Sequence, residues 1–491
     1  MNSLHKGEHW KKKLERVWGF WDKERVMSEN KMKKLSEFIE IKHGFAFKGK
    51  YISTEENKNI LLTPGNFSIG GGFKSDKFKF YYGEIPKQYI LKENDLIITM
   101  TDLSKSGDTL GYSALTPNIQ GKILLHNQRI GLVLFKNDRL DKFFLYFLLR
   151  GNKYRNYIIS TSTGSTVKHT SPNKILDFQF EYIPLEKQQN IAKKLMTIEK
   201  KIELNTQTNQ TLEQIAQAIF KHWFIDFAPV HAKANALASG ASPEQAELVT
   251  MASLSGKTLA EITALQHTTP EAYHQLQQTA QAFPSEFVES EMGLVPKGWE
   301  VKQVKDMGKI ICGKTPSKKK EEFYGNDIPF IKIPDMHNNT FIIKTTDNLS
   351  LLGANNQKTK FIEKGSICIS CIATVGLVSI TSERSQTNQQ INSIVPNSEI
   401  FTEYLYLYFS QDTMNKKLKD LASGGSATLN LNTTAFSNIT LLIPNNNLIE
   451  FFHKKAKPLF DKILSNKKES ISLSDTRDEL LPKLLRGEIE L

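Results

Sequence analysis

The chain lacks the features that mark secreted, membrane-spanning and disulfide-stabilised proteins. Its 491 residues include only three cysteines, Cys312, Cys368 and Cys371, which are too few for a disulfide framework. No apolar run reaches the roughly 18 residues that a membrane-spanning helix requires, and the charged start of the sequence has no signal-peptide core. We therefore expect a cytoplasmic protein with reduced cysteines.

The sequence also lacks the short motifs of nucleotide-binding and metal-dependent enzymes. It has no Gly-x-x-x-x-Gly-Lys-Ser/Thr phosphate loop, no Gly-x-Gly-x-x-Gly that opens a βαβ unit and no His-Glu-x-x-His pair. Cys368 and Cys371 have the spacing of two zinc ligands, but zinc needs about four, and no second pair follows. The Asn/Asp-Pro-Pro-Tyr/Phe motif of amino-methyltransferases is absent as well. We therefore predict no catalytic residue and no metal site in this chain.

What the sequence has is a surplus of positive charge. It contains 64 Lys and Arg against 52 Asp and Glu, which gives a formal net charge of +12. Cationic surfaces attract nucleic acids because each neutralised phosphate releases a condensed counterion. An anionic membrane or plain solubility would account for such a surplus too, so the charge alone leaves the partner open.

Two stretches repeat apolar residues at the alternating three- and four-residue spacing of a coiled coil. Asn205 and Asn466 interrupt the two patterns at the same place (466 − 205 = 261), so the stretches match in register. We predict two long helices that pack on each other, with the two asparagines fixing the register. The predicted seam consists of Ile191, Leu195, Ile198, Ile202, Asn205, Leu212 and Ile219 in the first stretch and Phe452, Leu459, Ile463, Asn466, Leu473 and Leu480 in the second.

Landmarks of the first half of the chain return in order in the second half. Gly44 is matched by Gly313, and Asn127 by Asn388. Around them, short apolar runs separated by turn residues indicate strands, with a helical pattern late in each domain. The sequence therefore predicts a tandem duplication, in which a mixed α/β (α+β) globular domain and a long helix occur twice.

We divide the chain into six segments on these patterns. They are an N-terminal extension (1–31), a first globular domain (32–184), a first long helix (185–229), an Ala- and Gln-rich insertion of two or three helices (230–292), a second globular domain (293–444) and a second long helix (445–491). The first long helix is expected to stop at Pro229, because proline cannot continue a helix.

Basic and aromatic residues alternate in the first globular domain, which suits contacts with phosphates and bases. Small hydroxyl residues near 163–169 and 423–428 add groups that bind phosphate, although a solvated strand or loop is the alternative for all of these stretches. The predicted DNA-binding residues are Lys48, Lys50, Lys74, Lys77, Lys79, Arg129, Thr163, Ser165, Lys168 and His169 in the first domain and Lys314, Lys318, Ser426 and Thr428 in the second.

Four phrases give the chain a family resemblance. They are Ile-Pro-Leu-Glu-Lys-Gln-Gln at 183–189, Leu-Val-Pro-Lys-Gly-Trp at 294–299, Ile-Pro-Phe-Ile-Lys at 328–332 and Leu-Pro-Lys-Leu-Leu-Arg-Gly-Glu-Ile at 481–489. With the duplicated layout, the chain resembles the specificity (S) subunit of type I restriction-modification systems over residues 32–491, outside the insertion.

The resemblance implies a non-catalytic, DNA-binding subunit. Two target recognition domains with twisted sheets would each read half of an asymmetric bipartite site, and two long antiparallel coiled-coil helices would join them in a pseudo-two-fold repeat. The implied partners are double-stranded DNA, two methyltransferase subunits and restriction subunits, and no membrane. S-adenosylmethionine, ATP and Mg²⁺ would bind to those subunits. The alternative is a DNA-modifying enzyme, a methyltransferase or nuclease, with an unrecognised catalytic site.

The length of the predicted seam also suggests a role in spacing. Ile191 and Ile219 are 28 residues apart (219 − 191 = 28), which is roughly 42 Å of helix at about 1.5 Å per residue. Successive major-groove sites on one face of DNA lie about 34–36 Å apart. We therefore expect the helices to set the spacer between the two half-sites.

Overall fold

A computed structural model of the protein describes residues 32–75, 77–423 and 429–485. These residues form two compact units: the first comprises the described residues up to Glu203 and from Ile471 onward, and the second is Leu204–Ser470. The first long helix is Leu185–Phe220 and the second is Asn446–Leu485, and each contributes to both units. The predicted mixed α/β class with two long helices is confirmed, and the predicted extension 1–31 lies outside the described residues.

The described part of the first unit contains a four-stranded sheet, a five-stranded sheet, two strand pairs and three short α-helices. Its strands are β1 (Met32–Lys34), β2 (Ile39–His43), β3 (Ile52–Ser53), β4 (Asn59–Leu61), β5 (Lys79–Tyr81), β6 (Ile90–Leu91), β7 (Leu96–Thr99), β8 (Thr101–Asp102), β9 (Ser113–Leu115), β10 (Ile123–Leu125), β11 (Ile130–Phe135), β12 (Lys168–His169) and β13 (Gln179–Glu181). One sheet has the order β2-β11-β7-β9 and the other β3-β5-β4-β10-β6, while β1 pairs with β13 and β8 with β12. The helices are Lys142–Leu148, Asn152–Thr161 and Pro172–Leu176.

The core of the first unit lies between its four-stranded sheet and the helices. Strand β7 is buried at every position, which explains why its sequence is a continuous apolar run without alternation. Asp141 caps the helix Lys142–Leu148 by accepting a hydrogen bond from the Phe144 amide at 2.8 Å. This helix packs against Ile191 and Leu195 of the first long helix. The start of that long helix is therefore part of the domain core.

Gln188 shows the structural role of the sequence segment 183–189. Its side chain is fully buried, and its amide nitrogen donates to the carbonyl oxygen of Ile183 at 2.8 Å. Its amide oxygen accepts from the Asp141 backbone at 2.8 Å. Because a buried amide must be hydrogen-bonded, this residue ties the first turn of the long helix to the preceding domain.

The second unit repeats this plan. Its strands are β14 (Phe287–Ser290), β15 (Gly293–Pro296), β16 (Glu300–Gln303), β17 (Gly308–Cys312), β18 (Tyr324–Ile331), β19 (Phe341–Ile342), β20 (Asp347–Leu349), β21 (Ile367–Ser370), β22 (Val378–Thr381), β23 (Gln386–Thr387), β24 (Ile391–Pro396) and β25 (Thr440–Ile443). Its main sheet has the order β17-β24-β21-β22-β19, a smaller sheet has the order β20-β18-β23, and β14 pairs with β15 and β16 with β25. Its short helices outside the insertion are Val304–Met307, Ile333–Met336, Leu351–Asn355, Thr402–Phe409, Asp412–Ala422 and Thr433–Ser437.

The duplication is visible in both topology and detail. The order β2-β11-β7-β9 in the first unit matches β17-β24-β21-β22 in the second. Gly44 and Gly313, which follow the first strands of these sheets, show why glycine recurs there. A Cβ atom at either position would lie 2.1 Å from a backbone oxygen, that of Asn127 or of Asn388. The matched glycines and asparagines are therefore contact partners in each domain.

The insertion forms four helices, where its composition predicted two or three. They are Ala228–Ala238, Pro243–Ser255, Leu259–Thr268 and Pro270–Ala282, and all of this segment is described. Each break has a local cause. Ser242 and Thr258 cap the helices that follow them, and Pro243 and Pro270 occupy first turns.

The end of the first long helix also differs from the prediction at Pro229. The α-helix ends at Phe220 and continues as a π-helical turn, Lys221–Ile225. Phe227 then adopts the left-handed conformation, with φ of 46°, immediately before the next helix. Pro229 lies in the first turn of that next helix, where its missing N–H breaks no hydrogen bond. The proline therefore starts a helix here and does not end one.

Candidate nucleic-acid interface

The first group of predicted DNA-binding residues surrounds the turn after β2. The Phe45 amide donates to the His126 carbonyl oxygen at 2.9 Å, and the Gln128 amide donates to the Phe45 carbonyl oxygen at 3.0 Å. This pairing brings the segment that carries Lys48 and Lys50 beside the turn that carries Arg129. All three cations are exposed, so the structure brings them to one part of the surface.

Lys74, Lys77 and Lys79 form a second exposed group in the first unit. The buried amide of Asn66 donates to the backbone oxygens of Lys74 and Lys77, at 3.3 and 3.1 Å, and fixes the course of this loop. The neighbouring Tyr81 ring packs against Phe47, with ring centroids 4.8 Å apart, and so supports the fold. Tyr81 and Phe47 therefore act in packing, whereas Tyr82, at 51% exposure, and the three lysines face solvent.

Thr163–His169 form a tight hairpin. The Thr163 amide donates to the His169 carbonyl oxygen at 3.0 Å, and the His169 amide donates back to the Thr163 oxygen at 2.9 Å. Strand β12 pairs with β8, and the His169 ring nitrogen Nδ1 lies 3.2 Å from the Thr101 hydroxyl. Thr163, Ser165 and His169 are exposed, whereas Lys168 is half-buried.

The loop after β8, residues 102–109, adjoins this hairpin and was missed by the sequence analysis. The Asp102 carboxylate accepts hydrogen bonds from the Ser104 amide at 2.6 Å and from the Thr109 hydroxyl at 2.6 Å. Burial raises the pKa of Asp102, but these hydrogen bonds outweigh it and the pKa is lowered. The exposed Lys105 lies in this loop. The signal in the sequence is the polar, turn-forming run that begins at Asp102.

The second unit places Lys314 and Lys318 on the loop after β17. Both are exposed, and the Lys314 amide donates to the Thr387 carbonyl oxygen at 2.9 Å. The loop is held at Pro316, whose carbonyl oxygen accepts from the Tyr324 hydroxyl at 2.9 Å. Lys314 itself corresponds in position to Phe45, since each directly follows the matched glycine, and Lys318 lies further along the loop. Ser426 and Thr428 lie outside the described residues.

In the second unit the long helices run antiparallel, and both seam asparagines are buried there at 2% exposure. Asn205 donates to the Glu469 carboxylate at 2.9 Å and to the backbone oxygen of Asn466 at 3.3 Å. Asn466 donates to the side-chain oxygen of Asn209 at 2.9 Å. The two asparagines thus bond across the seam without a bond between their own side chains in the described structure. Of the other predicted seam residues, Phe452 and Ile463 are buried and Leu212, Ile219 and Leu459 are partly buried against the same core.

In the first unit the helices are also antiparallel, and their contact is part of the domain core. Ile191 and Leu195 are buried together with Leu481 and Leu484 of the second long helix. The last two positions were not among the predicted seam residues. The predicted seam residues Ile198, Ile202, Leu473 and Leu480 are half-buried.

A metal or nucleophilic site finds no support in the described part of the chain. No group of three or more His, Cys, Asp or Glu is placed to hold a metal ion among the described residues. Burial raises the pKa of the Cys368 thiol to about 12 and that of Cys371 to about 11. Both are therefore protonated and unreactive near neutral pH. Among the described helices, none combines the length and apolar composition that crossing a membrane requires.

Comparison with known families gives a match in both halves of the chain. Residues 27–214 and 296–467 match the model of the type I restriction modification DNA specificity domain. The two matched ranges together cover more than half of the chain, and each contains one sheet-rich domain and part of a long helix.

Individual relatives carry the same description. The chain is 54% identical over 353 residues to the HindI type I restriction enzyme specificity subunit of Haemophilus influenzae, a match that covers 70% of this chain and 77% of the relative. It is 33% identical over 204 residues to the MjaIX specificity subunit of Methanocaldococcus jannaschii, over 41% and 45% of the two chains. The S subunit structure from M. genitalium aligns over 92% and 95% at 14% identity with a TM-score of 0.48, which is too low to carry an argument.

Proposed function

Because this chain belongs to the family of type I restriction-modification specificity subunits, we propose that its two globular domains each read one half of a bipartite, asymmetric DNA site. The chain is a non-catalytic, DNA-recognition subunit. The alternative of a DNA-modifying enzyme is not favoured, since the relatives are specificity subunits.

One observation carries the proposal. The two domains share a sheet order, β2-β11-β7-β9 and β17-β24-β21-β22, while the loops attached to these strands differ. In both, exposed lysines follow the first strand of the sheet: Lys48 and Lys50 after β2, and Lys314 and Lys318 after β17. A shared scaffold with shared phosphate-binding cations and different loops fits two readers of different sequences, because phosphate contacts position a protein while base contacts specify the sequence.

The subunit binds DNA and assembles with other subunits of its restriction-modification complex. We further propose two methyltransferase subunits, together with restriction subunits, as its partners. The exposed charged faces of the long helices, with Lys193, Lys194 and Lys200 as examples, would be available to them. S-adenosylmethionine, ATP and Mg²⁺ are proposed to bind to those partners, and the cytoplasm is the proposed location of the complex.

The number of heptads in the long helices is proposed to set the spacer between the half-sites. Asn205 and Asn466 support this proposal, since each is buried and hydrogen-bonded across the seam. A buried polar residue that bonds in only one register favours that register over a shifted one.

Exchange of one domain tests whether each domain reads its own half of the DNA site. Residues 32–184 would be replaced by the equivalent segment of another member of the family, and the variant expressed with its partner subunits. Sequencing of methylated bases in the host genome should show that one half of the recognised sequence changes and the other stays.

The matched control exchanges residues 293–444, which should change only the other half. A change in both halves after either exchange would contradict independent reading by the two domains. Methylation without sequence preference in the unaltered complex would contradict the proposed function itself.

A further inference from the structure

The loop after β8 presents an apolar side chain to solvent beside exposed cations. Leu103 is 69% exposed, although Thr101 and Asp102, which precede it, are buried. Single exposed apolar residues are common and by themselves need no explanation. Leu103 differs because hydrogen bonds hold its loop, because Lys105 lies on this loop and Lys168 beside it, and because the matching connection of the second domain is shorter.

Two charged side chains hold the loop from inside. Asp102 accepts from the backbone of Ser104 and from the backbone and hydroxyl of Thr109, so it closes the loop across its base. Arg155 donates to the carbonyl oxygens of Gly107 and Leu110. Because both ends of the loop are fixed, the position of Leu103 is set before any partner arrives, which lowers the entropic cost of binding.

The surroundings of Leu103 are cationic. Lys105 is exposed two residues further along the loop. Lys168 packs beside the loop, since a Cβ atom at Gly107 would lie 3.4 Å from its Cγ atom. Among the acidic residues of the loop, Asp102 is occupied by its hydrogen bonds and Asp108 is half-buried. An exposed apolar side chain on a loop with cations on it and beside it is suited to the edge of a base near the phosphate backbone.

The second domain lacks this projection on the same scaffold. In the first domain, residues 99–112 connect the paired residues Ile98 and Ser113 of β7 and β9. In the second, residues 370–377 connect Ile369 and Val378 of β21 and β22, so this connection is six residues shorter. Since the paired strands match, the six extra residues are a local feature of the first domain and are not required by the shared sheet.

We propose that Leu103 is a specificity-determining residue of the first domain, which makes an apolar contact with the methyl group of a thymine in its half-site, while Lys105 and Lys168 bind the adjacent phosphates. This inference rests on the proposed function and names a recognition contact within it. The C5-methyl group of thymine is the apolar feature of the major groove, and aliphatic side chains contact it.

Binding of the complete complex to synthetic duplexes tests the proposal. The Leu103→Ala variant should lose about tenfold in affinity for the recognised sequence and keep its affinity for unrelated DNA, as expected for loss of one base contact. The matched control is Ile69→Ala, which removes an equally exposed apolar side chain, at 76% exposure, from another loop of the same unit. It should leave both affinities unchanged.

Replacing Lys105 by alanine separates base reading from phosphate binding. The Lys105→Ala variant should weaken binding to recognised and unrelated DNA alike, and should reduce the slope of log affinity against log salt by about 0.9, as for one phosphate contact. Leu103→Ala should leave this slope unchanged. A salt slope that falls equally in both variants would contradict the assignment of Leu103 to a base.

Thymine-to-uracil duplexes give the sharpest outcome, because uracil lacks only the methyl group. Each thymine of the first domain's half-site, identified by the domain exchange, is replaced in turn. One replacement should weaken the unaltered complex and have no effect on Leu103→Ala. A half-site without thymine on either strand, or equal sensitivity in both proteins, would overturn the proposal, whereas loss of all sequence preference in the unaltered complex would overturn the proposed function.

Discussion

The first globular domain meets the long helices through a buried ionic cluster that lies beside the apolar contacts of Ile191 and Leu195. Glu199 of the first long helix accepts hydrogen bonds from the Tyr146 hydroxyl at 3.0 Å, from Arg150 at 3.0 Å and from Arg477 of the second long helix at 2.7 Å. The side chains of Arg150 and Arg477 are only 6% and 11% exposed. Arg150 also donates to the Gly70 carbonyl oxygen at 2.8 Å. Glu199 therefore pairs with two nearly buried guanidinium groups, of which Arg477 also pairs with the exposed Asp478 at 2.8 Å.

The second domain meets the same two helices mainly through aromatic rings. Phe224 of the π-helical turn packs against Phe452 at 5.0 Å and against Tyr404 at 5.1 Å, in edge-to-face geometry. Tyr406 packs its ring against Phe460 at 5.4 Å and donates its hydroxyl to Glu213 at 2.6 Å. Most of this junction is a hydrophobic core, although it also contains the nearly buried pair of Glu403 and His453, whose oxygen and nitrogen atoms are 2.6 Å apart.

The difference shows what duplication of a fold preserves. Tyr146 and Tyr406 occupy matching places in the two domains, and each donates to a glutamate of the first long helix. At the helix repeat of 261 residues, Glu199 corresponds to Phe460 (460 − 199 = 261) and Arg477 to Ala216 (477 − 216 = 261). The hydrogen bond from tyrosine to glutamate is common to both junctions, while the other side chains around it are ionic in the first and aromatic in the second. The two junctions should therefore respond differently to mutation and to pH.

Among the variants of the two junctions, removal of Glu199 should lower the stability of its unit the most. The Glu199→Ala variant leaves two arginines without their shared carboxylate, and breaking a buried ion pair costs about 3–5 kcal/mol. Arginine cannot relieve this cost by losing its proton. Hydrogen exchange on the full chain, which measures local unfolding, should show lower amide protection in the first unit.

The matched variant is Glu213→Ala in the second unit. Glu213 accepts from the neutral hydroxyls of Tyr406 and Thr340, and its nearby cation is Lys467. Burial lowers the pKa of Lys467 to about 8, so this lysine can deprotonate when Glu213 is removed. The expected cost is about 1–3 kcal/mol. Equal losses in the two variants would contradict the distinction between an ionic and an aromatic junction.

Replacement of Phe452 by leucine should lower the stability of the second unit by an intermediate amount. Phe452 is fully buried and pairs with Phe220, Trp223 and Phe224. The Phe452→Leu variant keeps most of the volume but loses the ring pairs, and we expect a cost of about 1–3 kcal/mol in the second unit.

Phe144 of the first unit provides the control for the volume change. It is also fully buried, but it pairs with no other aromatic ring among the described residues. Phe144→Leu should therefore cost less than Phe452→Leu by about 1 kcal/mol. If hydrogen exchange shows the reverse order, ring pairing does not account for the second junction.

The periodic parts of this structure could be predicted from the sequence. The heptad pattern predicted a long helix from residue 185, and the structure has Leu185–Phe220. Local signals also account for the four helices of the insertion, because Ser242 and Thr258 are capping residues whose effect does not depend on distant contacts. These features are predictable since they depend on neighbours within a few turns.

The ionic cluster and the exposed loop were not predictable in this way. Glu199 lies on a helix rich in charge and has the local sequence of a surface residue; its burial depends on Arg150 and Arg477, which are 49 and 278 positions away. Leu103 is the opposite case. An apolar residue that follows the buried strands β7 and β8 is expected to be buried, and only the tertiary structure leaves it exposed. In both cases long-range packing decides whether a side chain meets water.

Of these changes, acidification should have the smallest effect on stability, and it should still distinguish the two junctions. Burial alone would raise the pKa of Glu199, but Arg150 and Arg477 outweigh burial and lower it, so its contribution is present above the usual carboxyl pKa and is lost as the pH falls through the folded value. Burial raises the pKa of Glu403 in the second junction, although His453, at 2.6 Å, opposes the rise. The folded chain therefore binds the Glu403 proton more tightly, and this group becomes more favourable to folding as the pH falls.

Hydrogen exchange between about pH 7 and a pH below the folded pKa of Glu199, corrected for the intrinsic rate, should show the first unit losing protection relative to the second. The Glu199→Gln variant should abolish the loss in the first unit, because it no longer titrates, and Glu403→Gln should abolish the relative gain in the second. Equal acid responses of the two units, unchanged by either variant, would mean that these buried carboxylates do not distinguish the junctions. A loss confined to the first unit and removed by Glu199→Gln would locate its acid sensitivity at the one carboxylate that two arginines share.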